Sequence, residues 1–175
     1  YAFAIQYAWL VDESIKTRGL DISISSVLRI SDKAVDPTAK NFHWLDQKMS
    51  LFEATRNSYD WSVLCDAEGY LTEAPGSNIF LIKDNTVITP DNGCLEGITR
   101  LTVFELVDEL GLPHVERKVA AQELMEADEA FLSTSAGGIF PIRSVQGHNL
   151  SADNSVGELS SKIHNRYWEK RWSGC

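Results

Sequence analysis

Between Trp61 and Thr89 the chain passes through a run of short β-prone segments cut by turn residues, and this run limits the folds open to it. W-S-V-L-C-D (61–66) is followed by the turn Ala67-Glu68-Gly69 and by Y-L-T-E-A (70–74). Beyond Pro75-Gly76 come S-N-I-F-L-I-K (77–83), the turn Asp84-Asn85 and T-V-I-T (86–89). Runs of this length between Gly, Pro, Asn and Asp predict a β meander. Upstream, D-I-S-I-S-S-V-L-R-I-S (21–31) alternates apolar and polar residues and predicts another strand. From Asn41, the residues Phe42, Leu45, Met49 and Phe52 recur at helical spacing, predicting a helix to Arg56. Downstream, a loop over 90–97 leads into a predicted helix over 98–110, with Leu101, Phe104 and Val107 on one face and Gly111 as its C-terminal cap. A short helix (121–127), a strand (129–135), the pair Gly137-Gly138, a strand I-F-P-I-R-S-V and an amphipathic helix (157–172) with Leu159, Ile163 and Tyr167 complete the order. Strands and helices mix without regular βαβ alternation, so the expected class is α+β with a largely antiparallel or mixed sheet.

A length of 175 residues fits one domain over 1–175, with 1–35 as the region through which the chain enters it. Hydrophobic residues at 43% and charged residues at 23% mark a globular chain. The net charge of -9 excludes nucleic acid and an anionic membrane as main partners, because both need a basic face. Any phosphate must then be held by local donors. No apolar run has the length of a membrane span, and no secretory leader is expected. Cys65, Cys94 and Cys175 are odd in number and lack metal-like spacing, so reduced thiols, no metal and a cytoplasmic address are expected. The opening Y-A-F-A-I-Q-Y-A-W-L is already apolar and reads as the middle of a fold, with an N-terminal portion expected upstream.

Four stretches carry residue types suited to chemistry, and each also has an ordinary explanation. Lys40, in D-P-T-A-K-N-F-H-W, is either a solvated charge ahead of a helix or a nucleophile. Glu73 and Asn78, in L-T-E-A-P-G-S-N-I-F, flank a break in a strand, where a Glu is usually solvated. L-E-G-I-T-R (95–100) is either a capped helix start or an anion site built on the first N–H groups of that helix. S-T-S-A-G-G (133–138) places hydroxyls at a strand end, where they satisfy their own turn or cradle a phosphate.

Taken in order, these four stretches resemble the class IV pyridoxal phosphate aminotransferases, the fold type IV enzymes. That fold is shared by branched-chain and D-amino acid aminotransferases and aminodeoxychorismate lyases. The lysine segment, followed by L-F-E-A-T-R, is most similar to the (R)-selective amine transaminase branch. The resemblance runs over 1–172 and corresponds to the large C-terminal domain of a family member, without the N-terminal small domain that supplies a phosphate-binding arginine. It implies pyridoxal 5'-phosphate as cofactor, with Lys40 as the Schiff-base lysine and proton carrier. It implies Glu73 at the ring nitrogen, with Asn78 as support for that carboxylate or its turn, and Leu95 against the ring. Gly97, Ile98, Thr99 and Ser135 would hold the phosphate, and Thr134 and Ala136 would border the substrate. Arg29, placed in the strand before Lys40, and Arg100 receive no role at the phosphate. The implied reaction moves nitrogen from a primary amine or amino acid to a 2-oxo acid, in a homodimer. The opening apolar stretch and Tyr167, Trp168 and Trp172 are the expected association surface. Alternatives are a branched-chain or D-amino acid substrate, the lyase reaction, and a non-catalytic fragment.

Overall fold

The computed structural model describes residues 14–173, so the apolar opening stretch and Cys175 lie outside the described residues. In chain order the elements are α1 (Ser14–Arg18), β1 (Leu20–Ile24), α2 (Leu45–Arg56), β2 (Trp61–Val63), β3 (Asn78–Lys83), β4 (Thr86–Thr89), α3 (Ile98–Glu109), β5 (His114–Glu116), α4 (Ala121–Met125), β6 (Glu129–Thr134), β7 (Gly138–Val145), β8 (His148–Asn149) and α5 (Glu158–Ser173). The strands form one sheet in the order β2-β1-β7-β6-β3-β4-β5, with β8 paired to β7. The β1/β2, β1/β7 and β4/β5 pairs are parallel; β3/β4, β3/β6, β6/β7 and β7/β8 are antiparallel. The mixed α+β class holds.

The sheet is covered on both faces, which is why β3 is buried from Asn78 to Ile82 instead of alternating. On one face Ile79, Leu81, Leu132, Phe140 and Ile142 pack with Val119 and Leu124. On the other, Phe80, Ile82, Phe131 and Ile139 meet Val103, Leu106 and Val107 of α3 and Ile163 and Tyr167 of α5. Phe80 and Phe131 are register partners whose rings stack at 4.9 Å. Burying side chains of this size contributes about 1.5–3 kcal/mol each.

Several elements differ from the sequence expectation. Regular meander strands form only as β3 and β4; 61–66 and 70–74 still face each other antiparallel, through backbone bonds of Leu64 with Glu73 and Thr72 and a Cys65–Leu71 bridge, while β2 lies at the far edge beside β1. The predicted strand over 21–31 ends at Ile24, so Arg29 is not in a strand. The short α1, β5 and β8 carry too few residues for any period to show. On α3 the buried apolar face is Val103, Leu106 and Val107, while Leu101 is exposed and Phe104 half-buried, because the helix turns that face toward α5 and the sheet. Gly111 adopts φ +68° just past α3, the left-handed conformation expected of the cap.

The largest difference is α2. It starts at Leu45, and its buried side is Gln47, Ser50 and Ala54. The apolar residues whose spacing predicts this helix point to solvent: Phe42 is 94%, Leu45 74% and Phe52 62% exposed, and Met49 is exposed as well. Small and polar groups fit the core side because α2 lies close on β2, where the Ser62 hydroxyl donates to Ser50 Oγ at 3.0 Å.

Candidate active site

Antiparallel pairing of β3 with β6 brings the start of one strand beside the end of the other: Asn78 is the register partner of Ser133. The first turn of α3 lies over this end of the sheet, where Thr99 Oγ1 and Ser135 Oγ stand 3.2 Å apart. Gly97 offers α3 no side-chain cap, so the first N–H groups of the helix, those of Ile98 and Thr99, face outward as orphan donors. A helix start with open N–H groups and two adjacent hydroxyls suits a phosphate.

The approach to that helix start is fixed by the Leu95–Gly97 turn. Asn78 Nδ2 donates to the Leu95 carbonyl at 2.7 Å, and the Gly97 N–H donates to the same oxygen at 2.8 Å. A Cβ on Gly97 would stand 2.5 Å from Asn78 Oδ1, so a larger residue there would displace the Asn78 amide that holds the turn. From the same turn the Leu95 N–H donates at 3.0 Å to Glu73 Oε2. One turn thus joins the start of α3 to the carboxylate.

Glu73 is 5% exposed. Its Oε1 accepts from Arg29 Nη2 at 3.1 Å and from Gln47 Nε2 at 2.8 Å. Arg29 also donates through Nη1 to Asp46 Oδ2 at 2.7 Å, and the Ile30 N–H donates to the same oxygen at 2.8 Å. Burial pushes the Glu73 carboxyl above the usual range; the Leu95 N–H and Arg29 pull it down without offsetting burial, and the Asp46 charge adds to the rise. Asp46 shows the opposite balance. Burial pushes it up, but the Ile30 N–H, Arg29 and the Gln47 N–H together hold it below the usual range.

Arg29, Asp46 and Gln47 were not among the expected site residues. The available signal was an arginine inside an otherwise apolar alternation, since a buried cation needs paired acids. Ser133 was also missed; its hydroxyl is buried beside Asn78 with no protein partner.

The structure brings Glu73, Asn78, Leu95, Gly97, Ile98, Thr99 and Ser135 into one continuous arrangement. Thr134 is buried at the end of β6, and its Oγ1 accepts from the Ala136 N–H at 3.3 Å. Lys40 stands apart. It lies in the loop before α2, exposed, and makes no ion pair with a described residue. The residues flanking it are exposed or half-buried, and the chain turns inward only at Asp46 and Gln47. The nearby thiols are not rival nucleophiles: burial pushes Cys94 and Cys65 each up to about 11.

Residues 1–145 match the family model for amino-transferase class IV. The chain belongs to this family. Among its class IV relatives, the branched-chain-amino-acid aminotransferase of Pseudomonas aeruginosa is 34% identical over 164 residues, covering 93% of this chain and 53% of that protein. A probable branched-chain-amino-acid aminotransferase of Thermotoga maritima is 38% identical over 134 residues, covering 75% of this chain and 48% of that protein. The Escherichia coli branched-chain aminotransferase structure superposes with a TM-score of 0.91 at 28% identity, over 95% of this chain and 55% of that one. The PLP (holo) form of the Thermobaculum terrenum enzyme gives 0.86 at 32% identity, over 93% and 54%. The chain therefore spans about half the length of the relatives it matches. These relatives carry the branched-chain name and not that of the amine transaminases whose wording the lysine segment resembles.

Proposed function

We propose that this chain carries the cofactor-binding half of a pyridoxal phosphate-dependent aminotransferase, which moves an amino group from a primary amine or amino acid to a 2-oxo acid. The observation that carries this reading is the joining of a buried carboxylate, Glu73, to an open helix start through the single Leu95–Gly97 turn. When bound, the cofactor supplies an electron sink for a carbanion at the substrate carbon.

The residues divide the remaining work. Ile98 and Thr99 offer N–H groups, and Thr99 and Ser135 offer hydroxyls, to the phosphate. Glu73, as a carboxylate, holds a proton on the ring nitrogen. Its hydrogen bonds from Leu95, Arg29 and Gln47 favour the ionised form that this role needs. Asn78 keeps the Leu95–Gly97 turn in place, and Leu95 would offer the ring an apolar side chain. Lys40 Nζ would anchor the cofactor, and its amine would move the proton at substrate Cα. Thr134 and Ala136 border the substrate.

The exposed stripe of Phe42, Leu45, Met49 and Phe52 supports a homodimer assembled through α2. The C-terminal helix is a poorer candidate, because Tyr167 packs in the core, Trp168 packs against it, and of the three aromatics only Trp172 is exposed.

The lysine segment favours an amine donor, while the names of the relatives favour a branched-chain amino acid. A visible absorbance scan separates these. The protein should take up pyridoxal phosphate and become coloured, and the colour should change when a donor is added. Response to an amine without a carboxylate assigns the amine branch; response to leucine or valine alone assigns the branched-chain one. A protein that stays colourless with cofactor contradicts the proposal.

A further inference from the structure

Glu73 has more partners than neutralising its charge requires, and they are unevenly divided between its two oxygens. Oε1 accepts from Arg29 and Gln47, which fills both of its in-plane lone pairs. Among the described residues Oε2 accepts only the Leu95 N–H, at 3.0 Å, and keeps one acceptor site open. Arg29 is not available to Glu73 alone, since its other terminal nitrogen serves Asp46 at 2.7 Å. A buried and a half-buried carboxylate thus share one guanidinium, with relative side-chain exposures of 6% for Arg29, 12% for Asp46 and 7% for Glu73. The Gln47 amide adds a donor to Glu73 without adding charge. It also belongs to the first turn of α2, which has no side-chain cap at Trp44 and whose other buried residues, Ser50 and Ala54, are short.

We propose that Gln47 is a positioning residue: its amide occupies Glu73 Oε1 and thereby leaves Oε2 as the oxygen available to the cofactor's ring nitrogen, while tying the helix that follows Lys40 to that carboxylate. The proposal rests on the functional reading above for the identity of the nitrogen, but the Gln47–Glu73 coupling can be tested without cofactor. A second cation in place of the amide would neutralise the carboxylate that the ring nitrogen needs. An apolar side chain would leave the ionised form short of a donor in a buried setting.

The test begins with the cofactor-free protein carrying carbon-13 in its glutamate and aspartate carboxyls, followed by NMR against pH. The Glu73 signal is identified by its loss in Glu73→Gln. The ionisable groups facing Glu73 are Arg29, Asp46 and the Cys94 thiol, and the Asp46 carboxyl reports on any general rearrangement. In the parent, the side-chain amide signals of Gln47 should move with pH in step with Glu73. In Gln47→Met, which keeps length and loses the donor, the Glu73 midpoint should rise while that of Asp46 stays. With pyridoxal phosphate loaded, Gln47→Met should retain the cofactor and exchange nitrogen about tenfold more slowly at unchanged KM, the scale of one lost charge-assisted hydrogen bond. An unmoved Glu73 midpoint with a lowered Tm would make Gln47 a packing residue and overturn the proposal. If Gln47→Met does not fold, the parent amide signals decide: no movement with the Glu73 titration means no donation. A parent that binds no pyridoxal phosphate defeats the functional reading, and the NMR result still decides the Gln47–Glu73 coupling.

Discussion

Glu73 is held by competing forces. Its burial favours the neutral acid, while the role assigned to it requires a carboxylate, and the Leu95 N–H, Arg29 and Gln47 oppose the cost of burial. Glu73→Gln removes the charge while keeping nearly the same volume. Cofactor should still bind to the variant through the phosphate cradle, but proton abstraction from the donor should slow at least about a hundredfold, the scale of a lost electrostatic contribution of a few kcal/mol. Single-turnover absorbance measures this, and an unchanged rate would make Glu73 structural. The sequence marked Glu73 through its place beside Pro75-Gly76. It could not mark Gln47 or Asp46, because their role comes from a contact between the first turn of α2 and a distant strand break.

The proposed phosphate cradle is an arrangement of elements, not of one motif. It needs the start of α3, the end of β6 and the Leu95–Gly97 turn held by Asn78. Thr99→Val and Ser135→Ala each remove a hydroxyl with little change in shape. Each should weaken cofactor retention roughly ten- to a hundredfold, since a hydrogen bond to a charged group is worth about 1.5–3 kcal/mol. Because the two hydroxyls touch, at 3.2 Å, the double variant should lose less than the product of the single losses. Dialysis followed by re-titration with pyridoxal phosphate checks both; full retention in both single variants would place the phosphate elsewhere. At this scale the sequence was informative wherever local chemistry dictated form, as in the Gly97 approach, the Gly111 cap and the Asp84-Asn85 turn. It misled where period stood in for burial. The stripe of α2 has helical spacing, but that face is turned to solvent.

For the molecule as a whole, the exposed stripe has an energetic consequence. Phe42 and Trp44, with ring centroids 5.9 Å apart, continue the apolar surface of Leu45, Met49 and Phe52 on the side of α2 away from the sheet. A patch of this kind marks an association surface. Light scattering at micromolar concentration should find a dimer, and Leu45→Lys combined with Phe52→Lys should give a folded monomer, because neither residue supports the core. A parent that is already monomeric would contradict assembly through α2. The strand order explains why architecture was harder to read than class. The mixture of strands and helices is written locally, whereas the placement of β2 at the edge beyond β1 depends on pairings between distant segments.

The central claim is that Lys40 carries the cofactor. It is exposed in the loop ahead of α2, while the first turn of that helix reaches Glu73 through Gln47. Its exposed neighbours Lys33 and Lys48 provide internal controls. Borohydride reduction of the protein loaded with pyridoxal phosphate, followed by peptide mapping, should leave the pyridoxyl group on the peptide containing Lys40 and on no other. Recovery of the label on Lys33 or Lys48, or no label on a protein that has bound the cofactor, would contradict the account.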